Sequence, residues 1–432
     1  MRDSGQLGHG TPHSSPSGGT APGQATVTCM TDGTITDSPA RRRAALVAAL
    51  QAGGCIRTPE VAAAFGAVAR EQFAPGHPLD DLYGMHSAVV TKMGEHGRGT
   101  TSISAPWLQA KMLEDAQIQP GQRVLEIGSG GCNAAYIAEL AGPAGSVVTV
   151  DIDPWVTARA SQFLAEAGYR NVQVVTGDGD HAADVYGPFD RVIVTVGVWD
   201  VPWARLLTEG GRMVVPVMVA TFTRSVAFTR RGDRWDGENP VVCGFVKLQG
   251  AGAGWDQQPH LGGGTVHLNV EGGPDLDEDA LDQALAGDRA EVWTGVIIGN
   301  ADASDTLNMH LAVTDTRAGN IWASPGCALV QMAYRWHTPV LTEPDSFAYL
   351  TSRPAGDPGD HRSELGVHAH GPRAGALAGD LAGHIQEWDR SRRHGPGPQF
   401  TLYPAGAQVD CPPGGRLFRR RHVQILVAWP PQ

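Results

Sequence analysis

The chain has 432 residues, room for two domains and a tail. Hydrophobic residues at 41% and charged residues at 18% are globular values, and glycine (56) with proline (30) makes about a fifth of the chain without a period, which excludes a collagen-like or wholly disordered protein. A formal net charge of −12 gives no reason to coat nucleic acid or an anionic membrane, so any basic site must be local.

Residues 1–40 are rich in Gly, Ser, Thr and Pro and are expected to form a disordered arm. They lack the apolar segment of a secretory signal, and nowhere do about 18 apolar residues run together. Six cysteines without a CxxC pair argue against zinc and against a disulfide scaffold, so a cytoplasmic setting is expected. Helical spacing of Ala44, Leu46, Val47 and Leu50, then an apolar run over 61–68 behind Thr58-Pro59-Glu60, predict two entry helices.

From residue 123 the pattern becomes that of a doubly wound parallel sheet. Strands are predicted at 123–127, 147–151, 172–176, 190–196 and 212–217, with helices at 134–140, 155–167 and 203–207 and closing strands near 225–228 and 241–248. The glycine-rich stretch 250–254 reads as a flexible boundary. This divides the chain into a cofactor-binding domain at 41–249 and a mixed α/β accessory region at 250–432, with a use in binding peptide. In that region helices are predicted at 275–285 and 377–388, strands at 292–298, 329–333 and 423–429, and exposed loops at 353–360 and 395–398.

The strand ending in Glu126-Ile127 runs into Gly128-Ser129-Gly130-Gly131 and then a helix, a turn that lays a ligand against bare backbone at a helix N-terminus. A dinucleotide site would favour glycine at the sixth position, where Asn133 stands. Glu126 suits the ammonium group of an amino-acid cofactor. Asp151, about twenty residues beyond the turn, can accept two ribose hydroxyls, and Asp178 before Gly179 suits an adenine amino group. Alone, the turn is weak evidence. Three carboxylates, each at the end of its own strand, make a set that fits S-adenosylmethionine.

The segment Thr101-Ser102-Ile103-Ser104-Ala105-Pro106, the 125–131 turn, Val150-Asp151, Gly177-Asp178-Gly179 and Gly210-Gly211-Arg212 together resemble the protein-L-isoaspartate O-methyltransferases, over about half the chain. The run 124–153, with Ile-Gly-Ser-Gly-Gly-Cys-Asn, looks more like the FxLD-system branch, whose members accompany ribosomally made, modified peptides. The resemblance implies a Rossmann-like class I methyltransferase fold and an S-adenosylmethionine-dependent carboxyl O-methyltransferase. It implies Ser104 as the active-site hydroxyl, and Ser102, Ile103, Gln109, Glu126, Gly128, Ser129, Gly130, Asp151, Ile152, Asp178 and Gly179 around the cofactor. Thr195, Val196 and Gly197 would meet the substrate. The sequence departs from the repair enzymes there, with Thr195-Val196-Gly197-Val198-Trp199, and at 217–221, where a glycine-rich turn is replaced.

Arg224 is a candidate partner for a substrate carboxylate, against the alternative of a solvated strand-edge charge. His368 and His370 lack a marked third ligand, so no metal is expected. Arg416, Arg419, Arg420, Arg421 and His422 form a basic run that either docks an acidic peptide or is a solvated face. Cys132 reads as a packing residue. The function expected is aspartyl methylation of a crosslinked ribosomal precursor peptide leading to succinimide or isoaspartate; the alternative is isoaspartyl repair with an appended domain, and a third reading is a binding protein that has lost turnover.

Overall fold

The computed structural model describes residues 38–94, 99–128, 130–254, 256–299, 305–333, 338–356 and 361–430. The expected arm at 1–40 lies almost wholly outside them. Entry helices at Pro39–Ala52 and Pro59–Ala67 precede the sheets, the second capped by Thr58, whose hydroxyl accepts from the Val61 N–H.

Among the described residues the strands fall into three sheets. β1 (Val89–Met93) and β2 (Gly99–Ile103) pair as an antiparallel hairpin. β3 (Arg123–Ile127), β4 (Ser146–Asp151), β5 (Val172–Thr176), β6 (Phe189–Val194) and β7 (Leu207–Val219) are parallel, in the order β5-β4-β3-β6-β7. β8 (Phe222–Arg231) and β9 (Arg234–Val242) extend that sheet antiparallel. The chain winds outward from β3 and then returns to β6 on its other side. This reversal opens a crevice at the C-terminal ends of β3 and β6, where such folds bind ligands.

A second sheet, antiparallel throughout, comprises β10 (His260–Leu261), β11 (Val266–Val270), β12 (Arg289–Gly299), β13 (Ala318–Ala323), β14 (Thr338–Glu343), β15 (Ser346–Pro354) and β16 (Arg362–His370). The helix Ala374–Ser391 lays Leu377, Leu381, Ile385 and Trp388 on one face of it, and the Asp277-capped helix Glu278–Ala286 lays Leu281 and Leu285 on the other. The chain then returns: β17 (Gln399–Pro404), β18 (Gly415–Arg419) and β19 (Val423–Ala428) complete the first sheet beyond β9. The 249/250 boundary therefore does not separate two independent bodies, because strands from beyond it complete the sheet before it.

Each parallel strand buries alternate residues on opposite faces. Val124 joins the entry helices and Tyr136 in one core, while Leu125 and Ile127 join Trp203, Phe228 and Phe400 in the other. Residues 329–333, expected as a strand, are irregular. The expected loop at 353–360 is flanked by the ladder of β15 and β16, with residues 357–360 outside the described set. No helix among the described residues is long and apolar enough to cross a membrane.

Candidate active site

The turn after β3 is built on glycine for two steric reasons. Gly128 has φ 93°, and a Cβ there would stand 2.7 Å from Thr195 Oγ1. Gly131 has φ 83°, and a Cβ there would meet Phe73 and the Ala160 backbone at 3.2–3.3 Å. Thr195 Oγ1 donates to the Gly128 carbonyl at 2.7 Å, fixing the turn from β6. Ser129 lies outside the described residues.

This turn forms one wall of a groove with Thr100, Thr101, Asp151, Ile152, Gly179, Val196 and residues 246–249. Its volume is about 50 Å³ and, with the space open to solvent counted, about 490 Å³. Asp151, half-buried at the end of β4, accepts from the Asp153 N–H at 2.9 Å. Gly179 leaves space where a side chain would press on Ile127, Leu248 and Trp203. Bare backbone at Gly128, a carboxylate at the rim and an apolar slot between Ile152 and Leu248 fit the sugar and base of S-adenosylmethionine. Bound there, the cofactor would supply a methyl group on a sulfonium.

Asp178 holds more than the sequence suggests. One carboxylate oxygen accepts from the Asp180 N–H at 3.0 Å and the other from the Ala251 N–H at 2.7 Å. Each oxygen retains a second acceptor position. The stretch read as a flexible linker is thus clamped over the groove as a short turn, Gly250–Gly252. A Cβ on Gly250, whose φ is 81°, would stand 2.3 Å from Asp178 Oδ2.

Beneath the turn runs a buried chain of hydrogen bonds. Arg70, on the short helix Arg70–Phe73 and fully buried, donates to the Leu82 carbonyl at 2.7 Å, the Ser104 carbonyl at 3.0 Å and Gln109 Oε1. Gln109 Nε2 donates to Asn133 Oδ1 at 3.3 Å, and Asn133 Nδ2 to Glu126 Oε1 at 2.9 Å. Thr149 Oγ1 donates to the other Glu126 oxygen. Burial pushes the Glu126 carboxyl up to about 7. Gln109 and Glu126 therefore support the groove from below. Arg70, absent from the sequence reading, joins them to Ser104. A lone arginine between Val68 and Phe73 gives no sign in sequence of where its fork will point.

Ser104 stands partly exposed between β2 and the helix Pro106–Ala116. From β2 it is Thr100 and Thr101 that line the groove. Ser102 pairs with Val90, while Ile103 packs near Gly130 and Phe73 in a separate small cavity. Of the expected substrate segment, only Val196 reaches the groove with its side chain. Gly197 is bound through its backbone, its N–H to the Val246 carbonyl at 2.8 Å and its carbonyl to the Leu248 N–H at 2.9 Å.

Several expectations are corrected. Arg224 is buried and donates to the carbonyls of Thr223 at 3.1 Å and Asp305 at 2.7 Å, so it is not offered to a substrate carboxylate. Most of the basic run is a clasp. Arg416 donates to the Ala312 carbonyl, Arg420 pairs with Glu271, Arg421 with Asp180 and His422 with Asp200, while Arg419 stays exposed. His368 and His370 pack against Tyr349 in the second sheet. Burial raises the Cys132 thiol to about 11, in keeping with packing.

A larger cleft adjoins the groove, sharing Thr100, Val246 and Lys247 with it, and has a volume of about 720 Å³. Its walls come from both parts of the fold: Met218 of β7 with Trp199 and Phe245 from the segments that follow β6 and β9, and Asn269, Asn320 and Trp322 from the second sheet. The β7–β8 turn forms part of it. Ala220 (φ 47°) and Thr221 (φ 68°) adopt the left-handed pair of a two-residue hairpin turn, positions that favour Gly or Asn. Asn320 Nδ2 holds Thr221 there, at 3.1 Å from its carbonyl and 2.9 Å from Oγ1.

The sequence profile described as Protein-L-isoaspartate(D-aspartate) O-methyltransferase (PCMT) matches residues 41–251. A protein-L-isoaspartate O-methyltransferase of Ignicoccus hospitalis is 42% identical over 175 residues, 40% of this chain and 80% of the relative. One of Methanopyrus kandleri is 41% identical over 181 residues, 41% of this chain and 77% of the relative. A solved protein-L-isoaspartate O-methyltransferase, 21% identical, aligns over 83% of this chain and 96% of its own with a TM-score of 0.47. Given the extent and identity of the matches to the two archaeal relatives, the chain belongs to the protein-L-isoaspartate(D-aspartate) O-methyltransferase family and is an S-adenosylmethionine-dependent carboxyl O-methyltransferase.

Proposed function

We propose that the chain methylates the free α-carboxylate of isoaspartyl residues in peptides and unfolded protein segments. The observation that carries this reading is the contiguity of groove and cleft through Thr100, Val246 and Lys247, which lets an acceptor in the cleft face a methyl donor in the groove. The relatives' names support the substrate class.

The acceptor carboxylate is ionised at neutral pH, so no general base is required. S-adenosylmethionine held in the groove would supply the methyl group to the carboxylate oxygen, with the thioether as the leaving group. The protein's task is alignment in line. Asp151 and the Gly128 backbone fix the donor, Ser104 donates a hydrogen bond to the acceptor, and Arg70 holds the Ser104 backbone. The ester is open to attack by the next backbone nitrogen, which expels methanol and closes a succinimide.

The second sheet's share of the cleft favours a second reading, a dedicated crosslinked precursor peptide of ribosomal origin whose aspartyl carboxylate is methylated. The test is transfer of labelled methyl from S-adenosylmethionine to matched isoaspartyl and aspartyl peptides, with the crosslinked precursor in parallel. Transfer to the isoaspartyl peptide alone supports the first reading. Transfer to the precursor alone overturns it in favour of the second.

A further inference from the structure

The 720 Å³ cleft is furnished for something besides a carboxylate. Two tryptophans stand in its wall, and each is immobilised by contacts of its own. Trp199 Nε1 donates to Glu271 Oε1 at 3.2 Å, and the Arg420 guanidinium lies 4.4 Å over its ring. Arg420 is in turn buried and paired with Glu271. Trp322 stacks on His267 with ring centroids 3.8 Å apart and planes 11° apart. Aromatic rings fixed before binding lose little rotamer freedom when a ligand arrives. Met218 and Phe245 add to the apolar lining.

Lys247 supplies the complementary charge. It lines both groove and cleft, is about half exposed and pairs with Asp256. An ammonium with three donors can keep that partner and still meet a carboxylate. An acceptor seated with its carboxylate at Lys247 therefore has its neighbouring residues beside the tryptophans.

We propose that this cleft selects isoaspartyl peptides with a large apolar or aromatic side chain next to the acceptor residue, held between Trp199 in the segment after β6 and Trp322 of the second sheet. The proposal rests on the isoaspartyl reading for its acceptor and assigns the second sheet a role in specificity. Trp199 and Trp322 lie on opposite sides of the 249/250 junction, so neither half of the chain forms the site alone.

The test compares two short isoaspartyl peptides that differ only in Phe or Gly beside the acceptor, using the full chain with S-adenosylmethionine. The Phe peptide should have a kcat/KM about tenfold higher, the usual discrimination of an apolar pocket. Trp322→Ala should bring the ratio close to one, and Trp322→Phe should restore part of it. Trp322→Leu, which keeps an apolar group against His267, replaces the alanine variant if that one does not fold. A wild-type ratio near one, or a ratio unchanged in the variant, overturns the proposal. If neither peptide is methylated, the isoaspartyl reading fails, and anisotropy of the same dye-labelled peptides with S-adenosylhomocysteine present decides the cleft. Preferential binding of the Phe peptide that Trp322→Ala abolishes supports the proposal, and equal or absent binding overturns it.

Discussion

Arg70 donates to the Ser104 carbonyl at 3.0 Å from a side chain with no exposed surface. The same guanidinium reaches Leu82 and Gln109, so one planar fork sets both the Ser104 backbone and the support of the cofactor turn. Lysine presents a point charge and cannot reproduce that fork. Arg70→Lys should lower kcat by about 10- to 100-fold, the cost of misplacing a reacting group by roughly an ångström, and lower stability by about 1–3 kcal/mol. Steady-state kinetics with urea melts separate the two effects. Unchanged kcat in a folded variant would remove Arg70 from the site.

Glu126 carries a pH signature. Its carboxyl is raised from 4.5 to about 7 by burial, so the folded protein holds a proton that the unfolded chain releases. That contribution is fully present below pH 4.5 and is lost as pH rises through 7. Glu126→Gln should flatten this part of the stability profile, making the variant more stable relative to wild type at pH 8 than at pH 5 by on the order of 2 kcal/mol. Denaturant melts of the cofactor-free protein at the two pH values give the difference.

His310 works in the opposite sense. It is buried on the helix Asp305–Thr314 near His384, Arg392 and Glu387, and neither ring nitrogen has a hydrogen-bond partner among the described residues. Burial lowers it to about 4. Its stabilising contribution is present above pH 6.5 and falls away as pH drops toward 4. His310→Phe should reduce the loss of stability between pH 7 and pH 5 by about 1–2 kcal/mol. The same profile in both proteins would contradict the burial argument.

Two substitutions separate binding from turnover. Asp151→Ala should weaken S-adenosylhomocysteine about 10- to 100-fold by calorimetry, by removing the acceptor for two ribose hydroxyls. Ser104→Ala should lower kcat while leaving that affinity within a few fold. Equal loss of affinity in both would dissolve the distinction between their roles.

The part of the fold legible in sequence was the part governed by short-range pattern. β3 to β6 are short Val- and Ile-rich runs, the first three of them closed by Gly or Asp, and their ends fall within a residue or two of expectation. Asp151, Gly128, Ile152, Gly179 and Val196 meet in one groove because each sits at or just beyond a strand end on the same edge. The second sheet was harder to see. Arg353 and Pro354 at the end of β15 read as loop until their ladder with Glu364 and Ser363 is formed. The clamp of Gly250–Gly252 on Asp178, the burial of Arg224 and the clasp made by Arg416, Arg420 and Arg421 depend on partners far along the chain. No local pattern specifies such partners.

The most direct test of the central claim is tandem mass spectrometry of one peptide containing both an aspartyl and an isoaspartyl residue after incubation with the protein and S-adenosylmethionine. A single methyl ester on the free α-carboxyl of the isoaspartyl residue is expected, followed by loss of methanol to the succinimide. A methyl on the aspartyl residue, or on any nitrogen, would contradict it.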